Sequence, residues 1–407
     1  MIQFPKGFLW GAATSAYQVE GNNIASDWWE WEKRLGQKEP SGLACRHYEL
    51  YAQDFDLARS LGHNAHRLSL EWSRIEPEEG RFQEAQLKHY LDVILALRER
   101  GIEPVVTLHH FTNPLWFSLK DGWHNEQAVS SYLRYTGRAL ELLSPHVRFW
   151  VTINEPMVYV YHAYVLGIWP PQERSLAKGG KVTNNLLSAH VEAYKLIHAI
   201  YKKKGLPMPM VSIAQNLQAF VACKANLRNR IALYLRNKCF NFDFIDNAMR
   251  KKSLDFLGIN YYSRSLVDTR GWGVKNLLLD TCRDNHSDLP KNSLGWDIYP
   301  QGLYDLLLSL KRYDLPVFIL ENGICTDKDS LRWNFIRRHI EMVHQARQKG
   351  VNLIGYLYWS LLDNFEWDKG FSPRFGLIDV DYATYRRTPR DSANKFAEVC
   401  RTGTLND

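Results

Sequence analysis

Long apolar runs are missing from this chain of 407 residues: none approaches the ~18 residues of a membrane span. The opening MIQFPKGFLWGAATSAYQVEG has no basic stretch leading into an apolar core, so no secretory leader is visible. Cysteine is scarce. The six, at 45, 223, 239, 282, 325 and 400, form no CxxC pair and no framework spacing, which predicts reduced thiols in a soluble, cytoplasmic protein. Basic clusters are limited to Lys202–Lys204, Lys251–Lys252 and Arg386–Arg387 within a net charge of +7, too short for a nucleic-acid footprint. There is no repeat, no low-complexity segment and no Gly/Ser linker. No strand-like run is followed by a glycine-rich phosphate loop, which disfavours a doubly wound nucleotide-binding sheet. His63 and His66 in HNAH have no third ligand at useful spacing; they read as a structural helix end, and no metal is expected.

What the chain does have is a rhythm. Eight short β-rich runs, at 8–14, 64–70, 103–109, 149–154, 209–215, 254–262, 316–321 and 352–360, alternate with long amphipathic stretches. Most runs are continuously apolar, as parallel strands buried on both faces should be. QLKHYLDVILALRERG (86–101) repeats its apolar residues at helical spacing and ends on Gly101, a C-cap residue; 129–143 and 185–205 behave alike. The pattern predicts an α/β fold, a single (β/α)8 TIM barrel over residues 1–407, with a doubly wound sheet as the alternative. The aromatic content of 14 Trp, 21 Tyr and 18 Phe suits a large core and also stacking against flat, weakly polar ligands.

In such a barrel the chemistry sits at the C-terminal strand ends. Those ends carry Arg67 and Glu71, His109-His110, Asn154-Glu155, Asn260-Tyr261-Tyr262, Glu321-Asn322 and Trp359. His109 and His110 must point to opposite faces, so at most one enters the site. Glu155 and Glu321 end the fourth and seventh runs, expected on opposite sides of the mouth, and Pro156 should bias Glu155 to an extended backbone. A carboxylate after a strand can also serve as a helix N-terminal charge. As a facing pair, the two meet the needs of glycoside hydrolysis: one protonates the departing oxygen, the other attacks or directs water. The Trp-rich DWWEWE (27–32) fits either core or rim.

The chain resembles glycoside hydrolase family 1, the retaining β-glycosidases, over nearly its whole length. FLWGAATSAYQVEG, TINEP, GINYYS, GWDIYPQGL, LENG and YWSLLDNFEWDKGFSPRFG carry the similarity, all in the family's order along the chain. The resemblance implies Glu155 as acid/base and Glu321 as nucleophile. It implies Asn154 at the sugar 2-hydroxyl, and Gln18, His110 and Glu366 at the other hydroxyls. Trp367 would assist, Trp359 would form a stacking floor, and Phe375 would join the substrate contacts. Arg67, Tyr262 and Asn260 would support the nucleophile, keeping it charged, while its charge raises the pKa of Glu155. The expected partners are small-molecule β-glycosides or β-linked oligosaccharides, with no cofactor, nucleic acid or membrane. An inactive binding member of the fold and an inverting hydrolase are the competing classes.

Four departures from the family pattern stand out. The chain is short for the family, with the contraction falling between Gln215 and Ser253 on the aglycone side. Phe111 stands where many members have Trp, and SDWWEWE resembles a branch commoner in archaea. Glu366 stands where phosphosugar-specific members carry a small polar residue, so its carboxylate is expected to repel a 6-phosphate.

Overall fold

The computed structural model describes residues 2–37, 39–282 and 287–406. Eight parallel strands close into a barrel in chain order: β1 Leu9–Ala13, β2 Ala65–Ser69, β3 Glu103–His109, β4 Phe149–Asn154, β5 Met210–Asn216, β6 Leu257–Tyr261, β7 Val317–Asn322 and β8 Leu353–Trp359. β8 returns to β1 in register from Gly355–Leu9 to Trp359–Ala13. These are the eight runs marked in the sequence, each displaced by three residues or fewer.

The continuous apolarity of the strands has a direct cause. Adjacent Val105 and Val106 of β3 are both fully buried, yet in different clusters. Val105 packs inside the barrel with Ala65, Phe149, Val151, Phe318 and Leu357, and Val106 packs outside against the helices. Neither face meets water at these positions, so both are apolar.

Helices Glu84–Glu99 and Ala128–Leu143 fall where periodicity placed them. The helix expected from 185 instead begins at Leu176, capped by Ser175, whose side chain accepts from the Lys178 N–H at 3.3 Å. Its first turns contain Gly179 and Gly180, which break the apolar period. A Cβ on Gly179 would lie 3.3 Å from Val160 and 3.5 Å from Val165, so this turn packs closely on the segment after β4. His63 does follow a helix end, but His66 lies inside β2 with Nε2 3.1 Å from Thr14 Oγ1. Burial holds both imidazoles neutral. Among the described residues there is no cluster of potential metal ligands and no helix long and apolar enough to cross a membrane.

The contracted stretch folds into a short strand Ala219–Ala222, paired in parallel with Arg264–Val267, and the helices Leu227–Arg236 and Asp243–Arg250. Here the expectation of six free thiols fails, because Cys223 and Cys282 form a disulfide. The Cys223 N–H donates to Val267 O and the Cys282 N–H to Leu266 O, both at 3.0 Å. Two segments laid on either side of one strand bring the Cα atoms to 6.5 Å, across 59 residues of sequence. Spacing along the chain carries no trace of that tertiary pairing, and one ground for expecting a reducing compartment goes with it. Cys45, Cys239, Cys325 and Cys400 are free.

Candidate active site

β4 ends on Asn154, and Glu155 turns the chain into the helix Pro156–Val160. Its backbone is not extended, as the following proline suggested, but left-handed, with φ 43° and ψ 58°. Proline at the first helical position needs no N–H. The Glu155 N–H donates to Ala214 O at 2.7 Å, and its Oε1 accepts from Asn216 Nδ2 and Asn260 Nδ2, both at 2.8 Å. Three tertiary hydrogen bonds thus hold a conformation that costs a non-glycine residue about 1–3 kcal/mol. Such strain is characteristic of a side chain that must point in one direction. Asn216 was absent from the sequence-derived candidates, although it ends β5 as Asn260 nearly ends β6; the rule of reading strand ends would have found it.

Glu321, on β7, accepts from Arg67 Nη1 and from the Tyr262 hydroxyl. The Arg67 guanidinium is 1% exposed and fully employed: Nε donates to Thr107 Oγ1 at 3.0 Å and Nη2 to Asn154 Oδ1 at 2.7 Å. One cation therefore ties β2, β3, β4 and β7 together beneath the mouth. β4 and β7 stand three strand places apart, with β8 rather than β7 opposite β4. Both glutamates nonetheless line one cavity of about 870 Å³.

Burial is the main influence on both carboxyls, which revises the order of causes expected from sequence. It pushes Glu155 up to about 8, with the Glu321 charge adding to it and the two asparagine bonds opposing. Burial also pushes Glu321 up, but there the Arg67 charge, the Tyr262 hydroxyl and Asn260 all pull down. Both carboxyls end above the ordinary carboxylate range, but the bonded cation and phenol hydroxyl favour the charged form of Glu321, whereas the Glu321 charge favours the protonated form of Glu155.

The remaining predicted residues converge on the same cavity: Gln18, His110, Asn154, Trp359, Glu366 and Trp367 all line it, with Phe375 beside Trp359 and Tyr262. Gln18 accepts from Ser15 Oγ at 2.7 Å and donates to Phe365 O at 2.8 Å and Glu366 Oε2 at 3.3 Å, so it is fixed in orientation. The His110 ring lies nearly parallel to Trp359 and Trp367, with centroids 6.0 and 6.1 Å away. Its Nε2 is 3.2 Å from Asn154 Nδ2, and burial, aided by the Arg67 charge, keeps the ring neutral. His110 Nδ1 is buried without a partner, free for a ligand hydroxyl. Glu366 is pushed up to about 8 by burial, then by the Glu321 and Asp368 charges, so it too holds a proton at neutral pH. Trp28 and Trp31 of DWWEWE are core, with Trp28 packed on Trp367.

Other strand-end residues face away. His109 bonds Asn113 at 3.0 Å, Glu71 caps the helix Trp72–Ile75, and Asn322 donates to Tyr261 O at 2.7 Å.

The sequence matches the Glycosyl hydrolase family 1 profile over residues 1–222 and 210–404. A beta-glycosidase from Pyrococcus horikoshii is 40% identical and superposes with a TM-score of 0.93, covering 100% of this chain and 96% of that one. A beta-glucosidase from Thermotoga maritima in complex with glucoimidazole is 31% identical, with a TM-score of 0.91, covering 99% and 100%. Beta-glucosidase A of Thermotoga maritima is 32% identical over 450 aligned residues, 100% of this chain and 99% of that protein. That alignment exceeds the 407 residues of this chain, in keeping with its contraction. Fold, motifs and these relatives agree: the chain belongs to glycosyl hydrolase family 1.

Proposed function

We propose that this barrel, acting as one unit, removes terminal non-reducing β-D-glucosyl residues, and β-D-galactosyl or β-D-fucosyl residues, from small β-glycosides. The observation that carries the reading is the unequal pair: Glu155, gripped by two asparagines with its carboxyl pushed up to about 8 by burial and the Glu321 charge, and Glu321 held by a buried arginine and a tyrosine hydroxyl. Glu321 attacks the anomeric carbon while Glu155 gives its proton to the leaving oxygen, forming a covalent glycosyl-enzyme. Losing its proton, Glu155 becomes the base for the incoming water, and the β-configuration is retained. The scheme asks for carboxyl groups about 5–5.5 Å apart. An alcohol in place of water gives transfer. Asn154, already bonded to Arg67, takes the 2-hydroxyl; Gln18, His110 and Glu366 take the others, over the Trp359 ring.

A sugar 6-phosphate meets a different obstacle from the one expected of a Glu366 carboxylate. Protonated Glu366 repels nothing at neutral pH, but the Glu321 and Asp368 charges remain, and Lys369 Nζ is engaged by Asp368 at 2.5 Å. Unphosphorylated substrates are the expectation. Chromophore release from aryl β-glucoside, β-galactoside and β-fucoside, for wild type beside Glu321→Gln, tests the reading. Activity that collapses in the variant supports the nucleophile. A folded wild type inert to all three sugars would point to a binding protein, and initial release of the α-anomer would point to inversion.

A further inference from the structure

The cavity does not end at the sugar site, and its character changes along its length. Around the glutamates, polar side chains point inward. Beyond Glu155 the walls are Val158, Tyr161 and Val165 from the segment after β4, Leu176 of the long helix, and Leu278 and Leu279 of the helix Val274–Leu279. Several polar side chains along this stretch, Gln218, Arg236, Ser263 and Arg264, are committed to the protein itself. Gln218 Nε2 donates to Ser263 O at 3.1 Å and Ser263 Oγ to Asp297 O at 2.8 Å. Arg236 donates to the carbonyls of Leu277 and Asp280 at 2.8 and 2.5 Å, and Arg264 to Asp297 at 2.7 Å. A second sugar ring would bring several hydroxyls into these walls, and each one buried without a partner weakens binding. Exposed apolar side chains also line the cavity, Ile168, Leu176, Val274 and Trp296 at 39, 37, 62 and 40% exposure, with the Asp368–Lys369 ion pair a charged part of the lining.

We propose that the preferred substrates are amphiphilic β-glycosides whose aglycone is an unbranched alkyl chain. The chain lies in this channel, between the Val158–Val165 segment and the Val274–Leu279 helix, and emerges among those exposed apolar side chains. The proposal rests on the β-glycosidase reading above. When the anomeric C–O bond breaks, the departing alcohol takes the Glu155 proton and leaves along the same apolar path.

The test is kcat/KM for butyl, hexyl and octyl β-glucosides, each below its micelle-forming concentration, beside cellobiose and β-glucosyl fluoride. The fluoride has no aglycone and reports on the sugar site alone. Each methylene entering the channel should raise kcat/KM about twofold to fourfold, so octyl should exceed butyl by at least about tenfold and cellobiose should be the poorer substrate. Leu279→Asn and Val165→Asn should lower the octyl-to-fluoride ratio about tenfold. Fluoride hydrolysis combined with a flat chain-length series, or with a preference for cellobiose, overturns the alkyl-channel proposal and leaves the glycosidase reading intact. A folded protein inert even to the fluoride overturns both. Because the wild-type series decides by itself, a variant that fails to fold removes nothing from the test.

Discussion

At the scale of single residues, Glu155 does two things that its neighbours make compatible. It holds a proton because burial and the Glu321 charge push its carboxyl to about 8, and it points in one direction because Asn216 and Asn260 grip one of its oxygens. A carboxyl raised in this way is charged above pH 8 and neutral below it. The general-acid form is therefore lost as pH rises through about 8, and kcat/KM for an alkyl or aryl glycoside should fall along a basic limb there. Glu155→Gln should erase that limb and lower the rate on alkyl β-glucosides by about 10²–10⁴-fold. The loss should be much smaller with a nitrophenolate leaving group, which departs without a proton. A pH–rate profile of both proteins checks this; a basic limb that survives in Glu155→Gln would belong to another group, with Glu366 the nearest alternative.

At the scale of elements, the motif LENG shows how strand geometry dictates residue type. A Cβ on Gly323 would lie 1.9 Å from Trp359 O, so the chain leaving β7 can pass the end of β8 only if position 323 has no side chain. Gly323→Ala should force the two strand ends apart, costing about 1–3 kcal/mol. It should lower activity too, because Glu321 and Trp359 lie on the elements that move. Thermal unfolding and kcat measured on the same preparation test this, and an unaltered Tm would refute it. The strands themselves were legible because burial on both faces writes an unbroken apolar run, and their C-terminal ends gave most of the site. The start of the long helix at Leu176 was hidden by Gly179 and Gly180, which interrupt the period where the helix must approach its neighbour. The backbone of Glu155 departs from expectation for the opposite reason: contacts from β5 and β6 outweigh the local preference of the residue before proline.

At the scale of the whole molecule, the barrel is fastened at two places that sequence spacing does not announce. The termini clasp each other, Ile2–Gln3 against Thr404–Leu405, with the Phe4 N–H donating to Gly403 O at 2.8 Å. The Cys223–Cys282 disulfide closes a 59-residue loop on the aglycone side. Loop-closure entropy gives such a crosslink up to about 4 kcal/mol. Cys223→Ser, or a reductant, should therefore lower Tm, and the loss should fall on the channel wall near Thr281, Leu278 and Leu279 before it reaches the sugar site. The signature is octyl glucoside hydrolysis declining while glucosyl fluoride hydrolysis persists, measured with and without reductant. Equal loss of both activities would mean that the crosslink supports the barrel as a whole.

The sequence by itself determined the barrel, its eight strands and the pair of glutamates. Each of those rests on a periodicity or a motif confined to a few neighbouring residues, where burial dictates residue type directly. Tertiary structure alone decided the left-handed turn at Glu155, the grip of Asn216, the reach of Arg67 across four strands, the disulfide and the apolar channel. Each of these arises where segments far apart in the chain meet, and the chemistry of such a meeting belongs to neither segment alone.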